Sequence, residues 1–397
     1  MDKFGRRKTL LVFTSGLYLS GFILILLATA PAMVLIGRFL NGMGLGFVLA
    51  VSSIYIVEIA TTDLRGFLGC FVQFLGSIGV LIIFSAGCFL NWFQLAGLMI
   101  VMVVPFVIGM YICPESPRWL YSKGLEDEGR TALEWLRGTD SPQALQAEIR
   151  AIKLEQVKKK KNTVSVKVLG EASILKPFLI SIFMMFFLNL SGMTVMIFYC
   201  NSIFMYSRAN ISSNLGSVVV GLVLLVSCVA AIFFITRMGR RVILIASMSG
   251  MTVCYFLLGG CFYAIESANV EISKAQGSPD MVVDPLENFP GWLPPLAILV
   301  LLFLGNGGYG TLIWVVTAEL LPPHVRSIGN SIIICFSFIM GFIVSKTFVD
   351  LIMAIGASGT FWLYASICGA GTIYTIFLVP ETKGKTVEQI AQMFKKN

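Results

Sequence analysis

Long apolar runs broken by short polar segments recur along the chain, with one extended polar exception. The runs cover residues 9–30, 32–56, 67–89, 93–113, 178–206, 215–235, 242–264, 293–319, 329–349 and 360–379. Most reach the ~20 residues that a helix needs to cross a bilayer core about 30 Å thick. None alternates with the period of two expected of a barrel strand. The pattern therefore predicts an all-α, polytopic membrane helix bundle with ten spans. The exception, residues 114–176, carries a run of four lysines, Lys158 to Lys161, and a helical pattern from Glu126 to Leu136. Ser141 followed by Pro142 reads as an N-cap and first turn, which starts a second helix running to about Lys161. The expected organisation is an N-terminal bundle over 1–113, a linker with amphipathic helices over 114–176, a C-terminal six-helix bundle over 177–379 and a polar tail over 380–397.

Composition supports lipid as the solvent. Of 397 residues, 57% are hydrophobic and only 13% charged, about half the charged share of an ordinary soluble domain. The net charge of +8 invites a nucleic-acid reading, but its distribution argues otherwise. An even number of spans puts both termini on one side, and with that side as cytoplasm 25 of the 29 Lys and Arg residues face it. This is the positive-inside bias. Cytoplasmic termini and a plasma-membrane location are expected, with no nucleic-acid partner. The residues after Ala28-Thr29-Ala30 could follow a signal-peptide cleavage, but the apolar run before them is long for one, so a retained helix is expected. On the outer side, the segment from Glu266 to Gly291 holds five acids and one lysine, and Asn210-Ile211-Ser212 is a glycosylation sequon. Asn189-Leu190-Ser191 also matches but lies within a span.

Chemistry is sparse. The nine cysteines form no CxxC pair and read as small apolar residues, and His324 is the single histidine, so no metal site is expected. Neither a nucleophile–base set nor a phosphate-binding loop stands out, so no enzyme activity and no cofactor is expected.

The two halves repeat one another. Gly5-Arg6-Arg7 recurs as Gly239-Arg240-Arg241, Glu58 with Arg65 as Glu319 with Arg326, and Pro114-Glu115-Ser116 as Pro380-Glu381-Thr382. The order is the same in both halves, and every member falls at the cytoplasmic end of a span. Charge at a membrane face costs a few kcal/mol when unpaired, so carboxylates there are expected to pair with arginines of neighbouring helix ends. Pairs that form when the two halves close and break when they open make a gate. Two spans precede Gly239 in the second half and none precedes Gly5, so four plus six is read as a truncated six plus six.

These motifs resemble the sugar porters of the major facilitator superfamily, most of all those of the insect trehalose-transporter type. The resemblance covers the whole chain. It rests on Asp2-Lys3-Phe4-Gly5-Arg6-Arg7, Gly37-Arg38-Phe39 with Gly42, Tyr55 with Glu58 and Arg65-Gly66, Pro114-Glu115-Ser116-Pro117-Arg118-Trp119, Gly308-Tyr309-Gly310 with Trp314, and Pro380-Glu381-Thr382-Lys383-Gly384-Lys385. It implies a twelve-helix fold, of which ten are expected here, with a central cavity and alternating access. The implied gate residues are Arg6, Glu58, Arg65, Glu115, Arg118, Arg240, Glu319, Arg326 and Glu381. The sequence departs from the family where the sugar is bound: Leu188 and Asn189 replace two glutamines, and Thr194, Leu224 and Ser337-Phe338 stand where amides or an Asn-Trp pair are usual. Thr236 replaces an aspartate before Gly239. The remaining candidates for solute binding are Gln73, Asn189, Thr194, Tyr199, Asn306 and Trp314. Gln73 reads equally as a helix–helix hydrogen-bonding residue, and Trp314 as a packing or interfacial one. The implied function is facilitative transport of a sugar or polyol, with the lipid bilayer as the other partner. The alternative is a non-transporting membrane sugar sensor or an inactive truncated paralogue.

Overall fold

The computed structural model describes residues 4–61, 65–138, 142–161, 172–206, 213–275, 290–322, 325–383, 385 and 389. Among them every regular element is a helix. Among the described residues eight helices are long and apolar enough to cross a membrane, and the chain is an integral membrane protein. The difference from the ten expected spans has two sources. The third expected span lies in the helix Arg65–Ala86, whose described apolar stretch, Phe71–Ala86, is short. The last two expected spans run together over Ile328–Leu378, broken only where Gly356 takes φ 76° and ψ 169°.

The chain divides into two compact units, Met1–Val72 with Ala86–Thr163, and Gln73–Ser85 with Val164–Asn397. In the first, the span Arg6–Leu26 begins with a π-helical stretch, Thr9–Thr14, and lies against the helix Pro31–Ile59. Two glycines set that contact. A Cβ at Gly37 would lie 2.6 Å from the Gly21 carbonyl oxygen, so only glycine lets the backbones come this close. Leu10, Val51, Tyr55 and Met110 pack beside it. The helix Trp92–Ile112 opens with a capping box in which Asn91 and Gln94 satisfy each other's backbone N–H groups.

The linker helices belong to this first unit. Pro117–Ser122, Glu126–Arg137 and Pro142–Lys161 share a small core of Tyr121, Leu133 and Ile152. Glu126, Asp127 and Glu128 fill the first turn of the middle helix and Arg137 the last, which suits the helix dipole. Arg137 holds Glu148 through two bonds, of 3.1 and 2.9 Å, and reaches the Ile59 carbonyl at 2.9 Å. The linker is thereby tied to the end of the helix that carries Glu58.

The second unit has the larger core, with Met184, Met196, Met248, Tyr255, Leu301 and Tyr309 fully buried. The expected span 178–206 is not one helix. Ala172–Leu190 ends, Gly192 takes φ 72°, and Met193–Phe198 and Cys200–Tyr206 follow. A Cβ at Gly192 would meet the Tyr364 ring at 2.7 Å. The span Leu293–Thr317 contains a π-helical turn, Gly305–Gly310. At the far end of the helix Arg240–Ala275, Glu266 accepts bonds from the Ala357 and Ser358 N–H groups at 2.8 and 3.4 Å and from the Ser358 hydroxyl at 2.6 Å. It caps the helix that restarts after Gly356. The segment Gln73–Ser85 joins this unit through Ser77, whose hydroxyl lies 3.1 Å from the Cys228 sulfur.

Candidate gate clusters and cavity residues

In the first unit, Glu115 accepts bonds from the backbone N–H groups of Arg6 at 2.8 Å, Arg7 at 2.9 Å and Ser116 at 3.0 Å. A new helix has four N–H groups without partners, and a carboxylate there also suits the dipole. Gly5 precedes the helix with φ 92°, and a Cβ would collide with the Glu115 carboxylate. Arg6 in turn places Nη2 3.1 Å from Glu58 Oε1 and Nε 3.0 Å from Glu58 Oε2. The Ser116 hydroxyl donates to the same carboxylate. Arg7 donates to the Met110 and Tyr111 carbonyls. The Tyr55 hydroxyl donates to the Pro114 carbonyl at 2.6 Å.

The second unit repeats this arrangement. Glu381 accepts from the backbone N–H groups of Arg240 at 3.0 Å and Arg241 at 3.1 Å. Arg240 Nη1 reaches Glu319 Oε2 at 2.7 Å and Thr382 Oγ1 at 3.5 Å. Arg241 donates to the Ile376 carbonyl. Again a Cβ on the preceding glycine, Gly239, would meet the carboxylate. Burial pushes the Glu381 carboxyl up, but the backbone N–H groups of Lys383, Arg241, Arg240 and Thr382 outweigh it and hold the carboxyl below its usual range.

Six of the nine expected gate residues thus meet in two clusters, each pairing a carboxylate with an arginine of a neighbouring helix end. Glu58 meets Arg6 and Glu319 meets Arg240, while the side chains of Arg65 and Arg326 lie outside the described residues. Arg118 sits, partly buried, in the first turn of Pro117–Ser122. Sequence reasoning missed the hydroxyls of Ser116 and Thr382. The recurrence of Pro-Glu-Ser as Pro-Glu-Thr was the signal, since both side chains carry a hydroxyl at one place. A cleft of about 410 Å³ beside the first cluster is lined by Arg7, Glu115, Asp127, Glu128 and Trp135, so the linker backs this end of the unit.

The expected solute residues fall in the second unit. Asn189 is buried, and its Nδ2 donates to the Met185 carbonyl at 2.8 Å and the Ser337 hydroxyl at 2.9 Å. Asn306, on the π-helical turn, donates from Nδ2 to the Leu224 carbonyl at 3.1 Å, Ser227 Oγ at 2.8 Å and Cys228 Sγ at 3.5 Å. Two of the departures noted in the sequence, Leu224 and Ser337, are therefore the places where these amides anchor. Tyr199 packs its ring 5.0 Å from Phe348 and Thr194 is half-buried. Gln73 is exposed and Trp314 is 39% exposed. Asn210 lies outside the described residues.

A family model described as sugar (and other) transporter matches residues 1–394. The chain belongs to that family. This sugar transporter family member is 36% identical over 392 residues to the facilitated trehalose transporter Tret1 of Drosophila yakuba, a match that covers 98% of this chain and 44% of that protein. It is 36% identical over 393 residues to Tret1 of Aedes aegypti, covering 98% and 46% of the two chains. It is 37% identical over 395 residues to trehalose transporter 1 of Drosophila melanogaster, covering 98% and 44%. The chain thus spans a little under half the length of the curated relatives it matches. Among solved structures, the inward-open xylose transporter XylE from E. coli aligns with a TM-score of 0.77 at 21% identity, covering 99% of this chain and 83% of that one. The proton:xylose symporter XylE bound to 6-bromo-6-deoxy-D-glucose aligns at 0.75 and 22%, covering 99% and 84%. The fold of this family member is that of the major facilitator superfamily. The matching family is one of transporters.

Proposed function

We propose that this chain carries a sugar or related small polar solute across the membrane by facilitative alternating access. The observation that supports this most is the duplicated cluster. Each unit ends a pair of helices with the same four-part device: a carboxylate capping a helix start, an arginine from that start, a second carboxylate on a neighbouring helix and a hydroxyl beside it. A matched pair of charged locks at one end of two pseudo-equivalent units is what a rocking transporter needs. On this reading Arg6, Glu58, Arg65, Glu115 and Arg118 gate one half, and Arg240, Glu319, Arg326 and Glu381 the other. The membrane halves are residues 1–113 and 177–379, joined by a cytoplasmic linker over 114–176, with a cytoplasmic tail over 380–397. Both termini are cytoplasmic, Asn210 is glycosylated outside, and the membrane is the plasma membrane. Gln73, Asn189, Thr194, Tyr199, Asn306 and Trp314 line the solute path.

One observation favours a second reading, a non-transporting sugar sensor. The amide nitrogens of Asn189 and Asn306 are spent on backbone carbonyls and serine hydroxyls of the protein, so fewer donors remain for sugar hydroxyls. Flux of radiolabelled glucose and trehalose into cells expressing the chain separates the readings. Saturable glucose uptake that exceeds trehalose uptake is expected, and Leu188→Gln with Asn189→Gln and Thr194→Asn should raise trehalose uptake at matched surface expression. Sugar binding without flux in either form would overturn transport in favour of the sensor.

A further inference from the structure

We propose that the outward face of the linker helix Pro142–Lys161 binds the anionic phospholipid headgroups of the bilayer beside it. The inference goes beyond the transport reading and stands without it. The cytoplasmic placement of the linker decides only which leaflet the helix meets.

Packing settles the inward face of this helix. Leu145, Ile149 and Ile152 recur at spacings of four and three residues, and they pack with Tyr121 and Leu133. Half a turn round, Ala147, Arg150, Ala151 and Leu154 recur at the same spacings. All four are exposed, Leu154 by 65%. The helix then runs on through Lys158, Lys159, Lys160 and Lys161, and positions 158 and 161 continue the outward register.

Charge is sorted on the helix as well. It holds six basic residues and two acids. Glu148 is taken by Arg137, and Lys153 by Glu126 at 2.7 Å, so one acid and one cation are paired within the linker. That leaves Arg150 and the four lysines against Glu155. An anionic leaflet attracts such residues, each cation near the surface favouring the bound state roughly fivefold.

The helix is also held where headgroups are. Arg137 bonds the Ile59 carbonyl at 2.9 Å while it holds Glu148. Ile59 lies three residues past the apolar span Pro31–Ile56, about 5 Å along a helix, and the headgroup layer is about 5–8 Å deep. The first turns of the linker helix are thus fastened at headgroup level.

A soluble partner fits this face less well. A helix that docks in a protein groove uses several large apolar anchors at i, i+4 and i+7. Leu154 stands here with two alanines beside it. One leucine among cations suits a shallow contact, in which basic side chains lay their stems along apolar surface and offer their charge to phosphate.

The test uses the full chain reconstituted in phosphatidylcholine vesicles with or without about 30% phosphatidylserine on both faces. The probe is an environment-sensitive fluorophore on Leu154→Cys, with labelled wild type as the background for the native cysteines. With phosphatidylserine the emission should shift to the blue and be quenched by headgroup-nitroxide lipid, and about 1 M salt should reverse both. In pure phosphatidylcholine the probe should stay in water. Arg150→Gln should lower the bound-to-free ratio roughly fivefold, and glutamine at all four positions from Lys158 to Lys161 should abolish the shift. Lys153→Gln removes an ammonium already paired with Glu126, so it should lower the ratio less than Arg150→Gln does. Thermal unfolding should be unchanged in each variant. Emission that ignores phosphatidylserine, or equal losses in Lys153→Gln and Arg150→Gln, would overturn the proposal. A probe indifferent to phosphatidylserine but buried by soluble polyglutamate would overturn it too, and would assign the face to an acidic protein. Since the anionic lipid lies on both faces of the vesicle, a linker found outside the cell, or a chain without sugar flux, would refute those readings and leave this result standing.

Discussion

Glu58→Gln should loosen the first gate cluster more than Glu319→Gln loosens the second. Glu58 holds Arg6 through Oε1 at 3.1 Å and Oε2 at 3.0 Å, and it also takes the Ser116 hydroxyl. The Arg6 and Glu58 side chains are each 12% exposed, against 21% and 29% for Arg240 and Glu319. Glu319 takes Arg240 Nη1 at 2.7 Å. A charge-assisted bond is worth about 1.5–3 kcal/mol where water is largely excluded, while exposed ion pairs fall below about 1 kcal/mol. Glutamine keeps one acceptor, so the net loss is about 2–3 kcal/mol for Glu58→Gln and about 1–2 kcal/mol for Glu319→Gln. At about 1.4 kcal/mol per tenfold, the local open population should rise roughly 30- to 150-fold in the first and roughly 5- to 30-fold in the second. The assay is the alkylation rate of a cysteine placed at Ala60, which is 6% exposed, for the first cluster and at Leu321, which is fully buried, for the second. Both should react faster in the gate variants than in their own backgrounds, at equal surface expression and equal thermal unfolding. An unchanged rate at Ala60→Cys, or a larger rise at Leu321→Cys, would refute the reasoning.

Three further outcomes follow from particular contacts. The Glu381 carboxyl is depressed in the fold, so it contributes stability above about pH 4.5, the ordinary carboxylate value, and that contribution is lost as pH falls through the lower folded value; thermal unfolding from pH 3 to 7 should show the loss in wild type and a flatter profile in Glu381→Gln. Gly5→Ala should destabilise by about 1–2 kcal/mol, because the side chain takes the φ of 92° badly and displaces the Glu115 cap, and chemical unfolding of the purified protein checks it. Epitope tags placed in the linker should be reached by antibody only after permeabilisation, and tags between 266 and 291 before it; the reverse would overturn the orientation.

Much of the architecture was legible because membrane helices announce themselves by length and apolar content. The repeat was legible too, since Gly-Arg-Arg and Pro-Glu recur in order. That the carboxylates pair with arginines of neighbouring helix ends was expected from the cost of charge at a membrane face; that Glu58 meets Arg6 in particular depends on which helix ends abut, a long-range fact that no local spacing carries. The breaks at Gly192 and Gly356 were invisible for a related reason: a single glycine with positive φ inside an apolar run changes the backbone without changing the hydropathy. The orientation of Asn189 and Asn306 was equally hidden, since it is set by the backbone carbonyls of Met185 and Leu224, which every sequence possesses. Glu266 was read as one acid among several in a polar segment. Its capping of Ala357 and Ser358 depends on the Gly356 break.

The helix Arg240–Ala275 takes part in two grips of a carboxylate on backbone N–H groups, one at its start and one toward its far end. Glu381 holds its start, and Glu266, about 39 Å further along at 1.5 Å per residue, holds the start of the helix after Gly356. Sliding that helix along its own axis would therefore strain one grip or the other, so the two carboxylates fix its register against the helix ends on which they act.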